Sequence, residues 1–145
     1  MTKSLLVVVL LAAMQACSYS VTNYIRNDSR DEVVVSIQRG KTDLEWERKE
    51  SDSFAVKPNT ICRFGTDPFS DIYLYIKNIQ SGKSTNINLM RDGSFTYAVE
   101  NDGQEQVVTI KKADRKTKKL LEKEHGVSCR PWSAVENETY SQAHH

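Results

Sequence analysis

Between residues 72 and 77 the chain reads Ile-Tyr-Leu-Tyr-Ile-Lys, and this alternation constrains the fold more tightly than any other feature. Successive side chains of a β-strand point to opposite faces, so Ile72, Leu74 and Ile76 share one face while Tyr73, Tyr75 and Lys77 share the other. The same period recurs at Val33, Val35 and Ile37, at Thr85, Ile87 and Leu89, and at Phe95, Tyr97 and Val99. Weaker strands are expected at 21–26, 44–48, 54–57, 61–64 and 106–111. Between them lie Arg39-Gly40, Lys57-Pro58-Asn59-Thr60, Ser81-Gly82, Arg91-Asp92-Gly93 and Asn101-Asp102-Gly103, which supply the backbone conformations that tight connections need. Roughly eight strands joined by short loops predict a mainly β fold: an antiparallel β-sandwich or small barrel with a short C-terminal helix. Hydrophobic residues make up only 39% of the chain, which suits sheets with a solvated outer face better than a doubly covered parallel sheet.

Residues 1–18 have the parts of a secretory signal: a cation at Lys3, an apolar run over 5–14, and small residues at Ala16 and Ser18. The run ends at Gln15, short of the roughly 20 residues that a membrane-spanning helix requires. Cleavage after Ser18 makes Tyr19 the first mature residue. The alternative is a bacterial lipoprotein carrying its lipid on Cys17, although Met14 and Gln15 stand where such signals usually place Leu and a small residue. The expected organisation is therefore a signal at 1–18, a β-sandwich domain at 19–111, and a basic helix with a C-terminal tail at 112–145.

The chain has 20 Lys and Arg against 19 Asp and Glu, a balance that argues against nucleic-acid binding. Acidic residues exceed basic ones up to Ile110, and basic residues exceed acidic ones beyond it. Lys111, Lys112, Arg115, Lys116, Lys118, Lys119 and Lys123 form the densest charge run, the last five of them within a helix expected over 113–125 and capped by Gly126. Such a run can attract anionic lipid head groups or acidic polysaccharide peripherally. Its thin apolar content, Leu120 and Leu121, disfavours insertion into a bilayer. Cys62 and Cys129 remain after cleavage, and an even count in an oxidising compartment predicts that they pair.

The expected β body contains no histidine; His125, His144 and His145 all lie beyond it, which removes histidine-based triads and most zinc sites from that body. Glu45 and Glu47 share a strand face and are the candidates for a carboxylate-based hydrolase, though their charged surroundings fit a solvated edge. Asp67, Asp71, Asp92 and Asp102 occupy loops without calcium-ligand spacing, so no metal and no cofactor is expected. Tyr73, Tyr75 and Tyr97, with Phe69 nearby, form a candidate aromatic platform, assisted by Lys116, Lys118 and Lys119. Asn27 and Asn137 begin N-glycosylation sequons. The Cys-Trp-Cys order of antibody-type domains is absent, because Trp46 precedes both cysteines. The leading expectation is a secreted, non-enzymatic module that recognises an extracellular protein or glycan. The alternatives are a lipid-anchored surface protein with a structural or adhesion role, and a carboxylate-based hydrolase.

Overall fold

A computed structural model describes residues 21–39, 53–67, 71–90 and 92–133. Their order is β1 (Val21–Asn27), β2 (Val33–Arg39), β3 (Ser53–Val56), β4 (Thr60–Thr66), β5 (Ile72–Asn78), β6 (Ser84–Asn88), β7 (Phe95–Asp102), β8 (Glu105–Lys112), α1 (Arg115–Leu121) and β9 (Ser128–Pro131). Two sheets form, one in the order β8-β7-β1-β4-β9 and the other β3-β2-β5-β6. The sheets do not close on one another, so of the two expected β architectures the sandwich is the one adopted. Pairings are antiparallel except β1 with β7, which run parallel.

The alternation read in the sequence decides which side chains meet between the sheets. Val33, Val35, Ile72, Leu74 and Ile76 from the four-stranded sheet pack against Ile25, Cys62, Phe64, Phe95, Tyr97 and Val99 from the five-stranded sheet. Burial of such side chains is the main stabilising contribution, roughly 1.5–3 kcal/mol for each large apolar group. At one edge, Gln106 of β8 donates through Nε2 to the Ile76 carbonyl and to Thr85 Oγ1, linking one sheet to the other.

A second, smaller cluster lies on the outer face of the five-stranded sheet. Tyr24 and Ile61 point outward there because their chain neighbours Ile25 and Cys62 point inward, and they pack with Ala113 and Leu121. This cluster seats α1. Asp114 caps the helix, its Oδ1 accepting from the Thr117 N–H at 2.6 Å. The helix is shorter than the expected 113–125. Leu121 is its last apolar anchor, and Glu122-Lys123-Glu124-His125 offers no side chain to hold a further turn on the sheet.

The segment expected to be a tail instead returns to the sheet. β9 pairs with β4, setting Cys129 opposite Cys62, and the two are joined by a disulfide with Cα atoms 4.0 Å apart. The Trp132 N–H then donates to the Asn59 carbonyl at 2.7 Å. β8 continues to Lys112, and Ala113, Leu121 and Trp132 pack with Tyr24 and Ile61 of the five-stranded sheet. The expected strand at 44–48 lies outside the described residues, as do the signal with Cys17, Tyr19, Glu45, Glu47, Phe69, Asn137, His144 and His145.

Candidate functional site

The outer face of the five-stranded sheet carries a cleft of about 250 Å3. Strand register explains its lining. Tyr24 lies opposite Thr96, Arg26 opposite Ala98, Ala98 opposite Thr109, and Thr96 opposite Lys111, and cross-strand partners share a face. The sheet therefore contributes Arg26, Ile61, Thr96, Ala98, Glu100, Thr109 and Lys111 to the floor and one wall. Lys112 and Asp114, where β8 gives way to α1, close one end, and Trp132, just after β9, closes another.

Arg26 is fixed on two sides. Its Nε and Nη2 donate to Asp28 Oδ2 at 2.8 and 2.7 Å, and its guanidinium carbon stands 4.7 Å from the centre of the Trp132 ring. A guanidinium over an indole face is attracted by the ring quadrupole, so the pair holds the half-buried Trp132 side chain in place. Asp114 is committed to capping α1, while Glu100, Lys111 and Lys112 are exposed at the rim. Beneath the helix, burial pushes the Tyr24 phenol above its ordinary value; Arg63 opposes this and the carboxylates of Glu122 and Asp114 add to it. The cleft thus combines an aromatic wall, small apolar and hydroxyl groups on its floor, and a rim on which Lys111 and Lys112 stand with Glu100.

The expected aromatic platform is not assembled. Tyr97 is 0% exposed in the core between the sheets, because it lies on the same strand face as Phe95 and Val99. Its hydroxyl accepts from the Met90 N–H at 3.0 Å. Tyr73 and Tyr75 do lie on the face opposite Ile72, Leu74 and Ile76, but Tyr75 is only 3% exposed and Tyr73 is half-buried. That face belongs to the four-stranded sheet, on the far side of the sandwich from α1. Lys116, Lys118 and Lys119 are exposed on α1, as their alternation with the buried Thr117 and Leu121 requires, and therefore cannot assist Tyr73 or Tyr75.

Asn27 is corrected as a glycosylation position. Its side chain is 0% exposed; Nδ2 donates to the carbonyls of Asp31 and Val56, both at 2.9 Å, and Oδ1 accepts from the Ser29 N–H and hydroxyl at 3.0 and 2.6 Å. The Asn-Asp-Ser triplet ends β1 and opens the turn to β2, and a glycan on Nδ2 is incompatible with this packing. Asp67 lies 3.7 Å from Arg39 in an ion pair. Among the described residues no three His, Cys, Asp or Glu side chains gather into a metal-binding group. A second cleft, of about 240 Å3, lies among Arg30, Asp31, Asn78, Ser81, Lys83 and Gln104. Several of its polar groups bond one another: Asn78 Nδ2 donates to Asp31 Oδ2 at 3.0 Å, and Lys83 Nζ donates to the Gln104 carbonyl.

Sequence reasoning missed Arg26, Thr96, Thr109 and Trp132. The alternation of β1 does put Arg26 outward, but only the pairing of β1 with β7 brings it to Ala98. Trp132 reaches the cleft because Cys129, three residues earlier, is tied to β4. No family model matches the chain, and no similar curated protein or solved structure was found.

Proposed function

We propose that the chain is a secreted, non-enzymatic binding module that engages an extracellular protein or glycan through the cleft on the outer face of its five-stranded sheet. The observation that carries this reading is the pairing of Arg26 with Trp132 beside Thr96, Thr109, Lys111 and Lys112 in one depression. Pockets that recognise ligands combine apolar surface with a few placed polar groups, and aromatic and Arg side chains are the common anchors of recognition. A binding role is supported further by the engagement of Arg26 and Asp114, whose bonds to Asp28 and to the Thr117 N–H stabilise the cleft walls. The Cys62–Cys129 bridge is compatible with an oxidising, extracellular setting.

The test is to probe arrays of extracellular glycans and receptor ectodomains with the purified, disulfide-bonded chain and with Lys111→Glu/Lys112→Glu. Saturable capture that is lost in the double variant, with the bound partner recovered chemically unchanged, is the expected result. Capture unaffected by the variant, or cleavage of the partner, contradicts the proposal.

A further inference from the structure

We infer that the cleft and its cationic rim take a linear polysaccharide bearing carboxylate or sulfate groups, an inference that rests on the binding-module reading and names its ligand class. The first ground is an excess of positive charge. Lys111, Lys112, Arg115, Lys116, Lys118 and Lys119 are all exposed, and none has an ion-pair partner among the described residues. Of the neighbouring carboxylates, Asp114 accepts from the Thr117 N–H and Glu124 Oε2 accepts from the Ser128 hydroxyl at 3.0 Å, which leaves the exposed Glu100 and Glu122 facing a larger number of cations. A chain that is almost neutral as a whole therefore presents a concentrated cationic strip on one face.

The second ground is the length and shape of that strip. Seven helical residues rise about 10 Å, and the strip begins before them at the end of β8. Charges this close lie within or near one Debye length of about 8 Å at physiological salt, so they act jointly on a ligand with repeated anionic groups. The third ground is the floor. The half-buried Trp132, with a small contribution from Ala98, offers apolar surface for the C–H face of a sugar ring, and the Thr96 and Thr109 hydroxyls are placed to exchange hydrogen bonds with sugar hydroxyls.

A lipid surface fits less well. The apolar side of α1 is spent against the sheet, with Leu121 packed on Tyr24 and Ile61, so the helix has only its polar side to offer a bilayer. A membrane would meet the cationic rim and leave the cleft unused.

Calorimetry with a heparin hexasaccharide, which carries both sulfate and carboxylate groups, tests the inference against vesicles containing phosphatidylserine. The hexasaccharide is expected to bind, to weaken as salt rises from roughly 0.05 to 0.5 M, and to bind about tenfold more weakly to Lys111→Ala/Lys112→Ala. Thr109→Trp, a β-compatible change on an edge strand that fills the cleft, should cost at least as much while leaving all the cations in place. Lys116→Ala/Lys118→Ala/Lys119→Ala should chiefly slow association and flatten the salt dependence. No hexasaccharide binding, or binding indifferent to Thr109→Trp in a variant whose circular dichroism is unchanged, overturns the inference. So does stronger binding to the vesicles than to the hexasaccharide. If the hexasaccharide fails while the arrays return a neutral glycan or a protein, the ligand class is wrong and the binding-module reading stands; if the arrays also return nothing, both fall.

Discussion

Tyr97 makes an apolar and a polar contribution from one side chain. Its ring fills the core between the sheets, and its hydroxyl satisfies the Met90 backbone N–H. Tyr97→Phe keeps the ring and leaves that donor unpaired, which should cost about 1 kcal/mol in urea unfolding at neutral pH. The same substitution tests a pH dependence. Burial raises the Tyr97 phenol above 10.0, with the Met90 bond opposing the rise, so the folded chain holds this proton more tightly than the unfolded chain does. Stability from this source is complete below the unfolded value and is lost as pH rises through the folded one. Tyr24, also raised chiefly by burial, acts in the same direction. Wild type should therefore lose stability between neutral pH and about pH 11 more steeply than Tyr97→Phe; equal slopes would contradict the assignment. The inward position of Tyr97 was legible, since Phe95, Tyr97 and Val99 share one strand face. Treating its ring as part of a surface platform conflicted with that pattern, because a face filled with large apolar groups is the buried one.

At the scale of elements, α1 and Trp132 clamp Tyr24 and Ile61, and the disulfide ties β9, which leads into Trp132, to β4. With the cysteines 67 positions apart in sequence, chain-entropy arguments give roughly 4 kcal/mol for the constraint on the unfolded chain. The variant Cys62→Ala/Cys129→Ala should lose about 2–4 kcal/mol, and hydrogen exchange should quicken over residues 113–133 before it quickens in β2 or β5. Uniform quickening across the chain would mean that the clamp is not a separate stability unit. The helix was legible from its good helix formers, although it begins at Arg115, where the Asp114 cap sets its start, and not at 113. Its end was not, because it is set by the loss of contact with the sheet after Leu121 rather than by Gly126. β9 was missed for a related reason. Ser-Cys-Arg-Pro has neither alternation nor β-branched residues, and it becomes a strand only through pairing with β4 and the Cys62–Cys129 bridge. As an edge strand it tolerates Pro131, whose missing N–H would break a central ladder.

At the scale of the whole molecule, the sandwich places its features on opposite faces: the helix, the cations and the Trp132 cleft on the five-stranded side, and Tyr73 with Tyr75 on the four-stranded side. Strand existence and facing are local properties, and the alternating runs carried them. Sheet order is not local. The parallel union of β1 with β7 joins segments some 70 residues apart, and only that union brings Arg26 beside Ala98 and Glu100. The basic run was legible as charge, but which face it would occupy depended on where Tyr24 and Ile61 seat the helix. The most direct test of the binding role proposed for the cleft is amide chemical-shift mapping of the chain as its captured partner is titrated in. Shifts should concentrate at Arg26, Thr96, Glu100, Thr109, Lys111 and Trp132, with the outer face of β5 unperturbed. Shifts centred on Tyr73 and Lys77, with Trp132 and Lys111 unmoved, would contradict the account and return recognition to the four-stranded sheet.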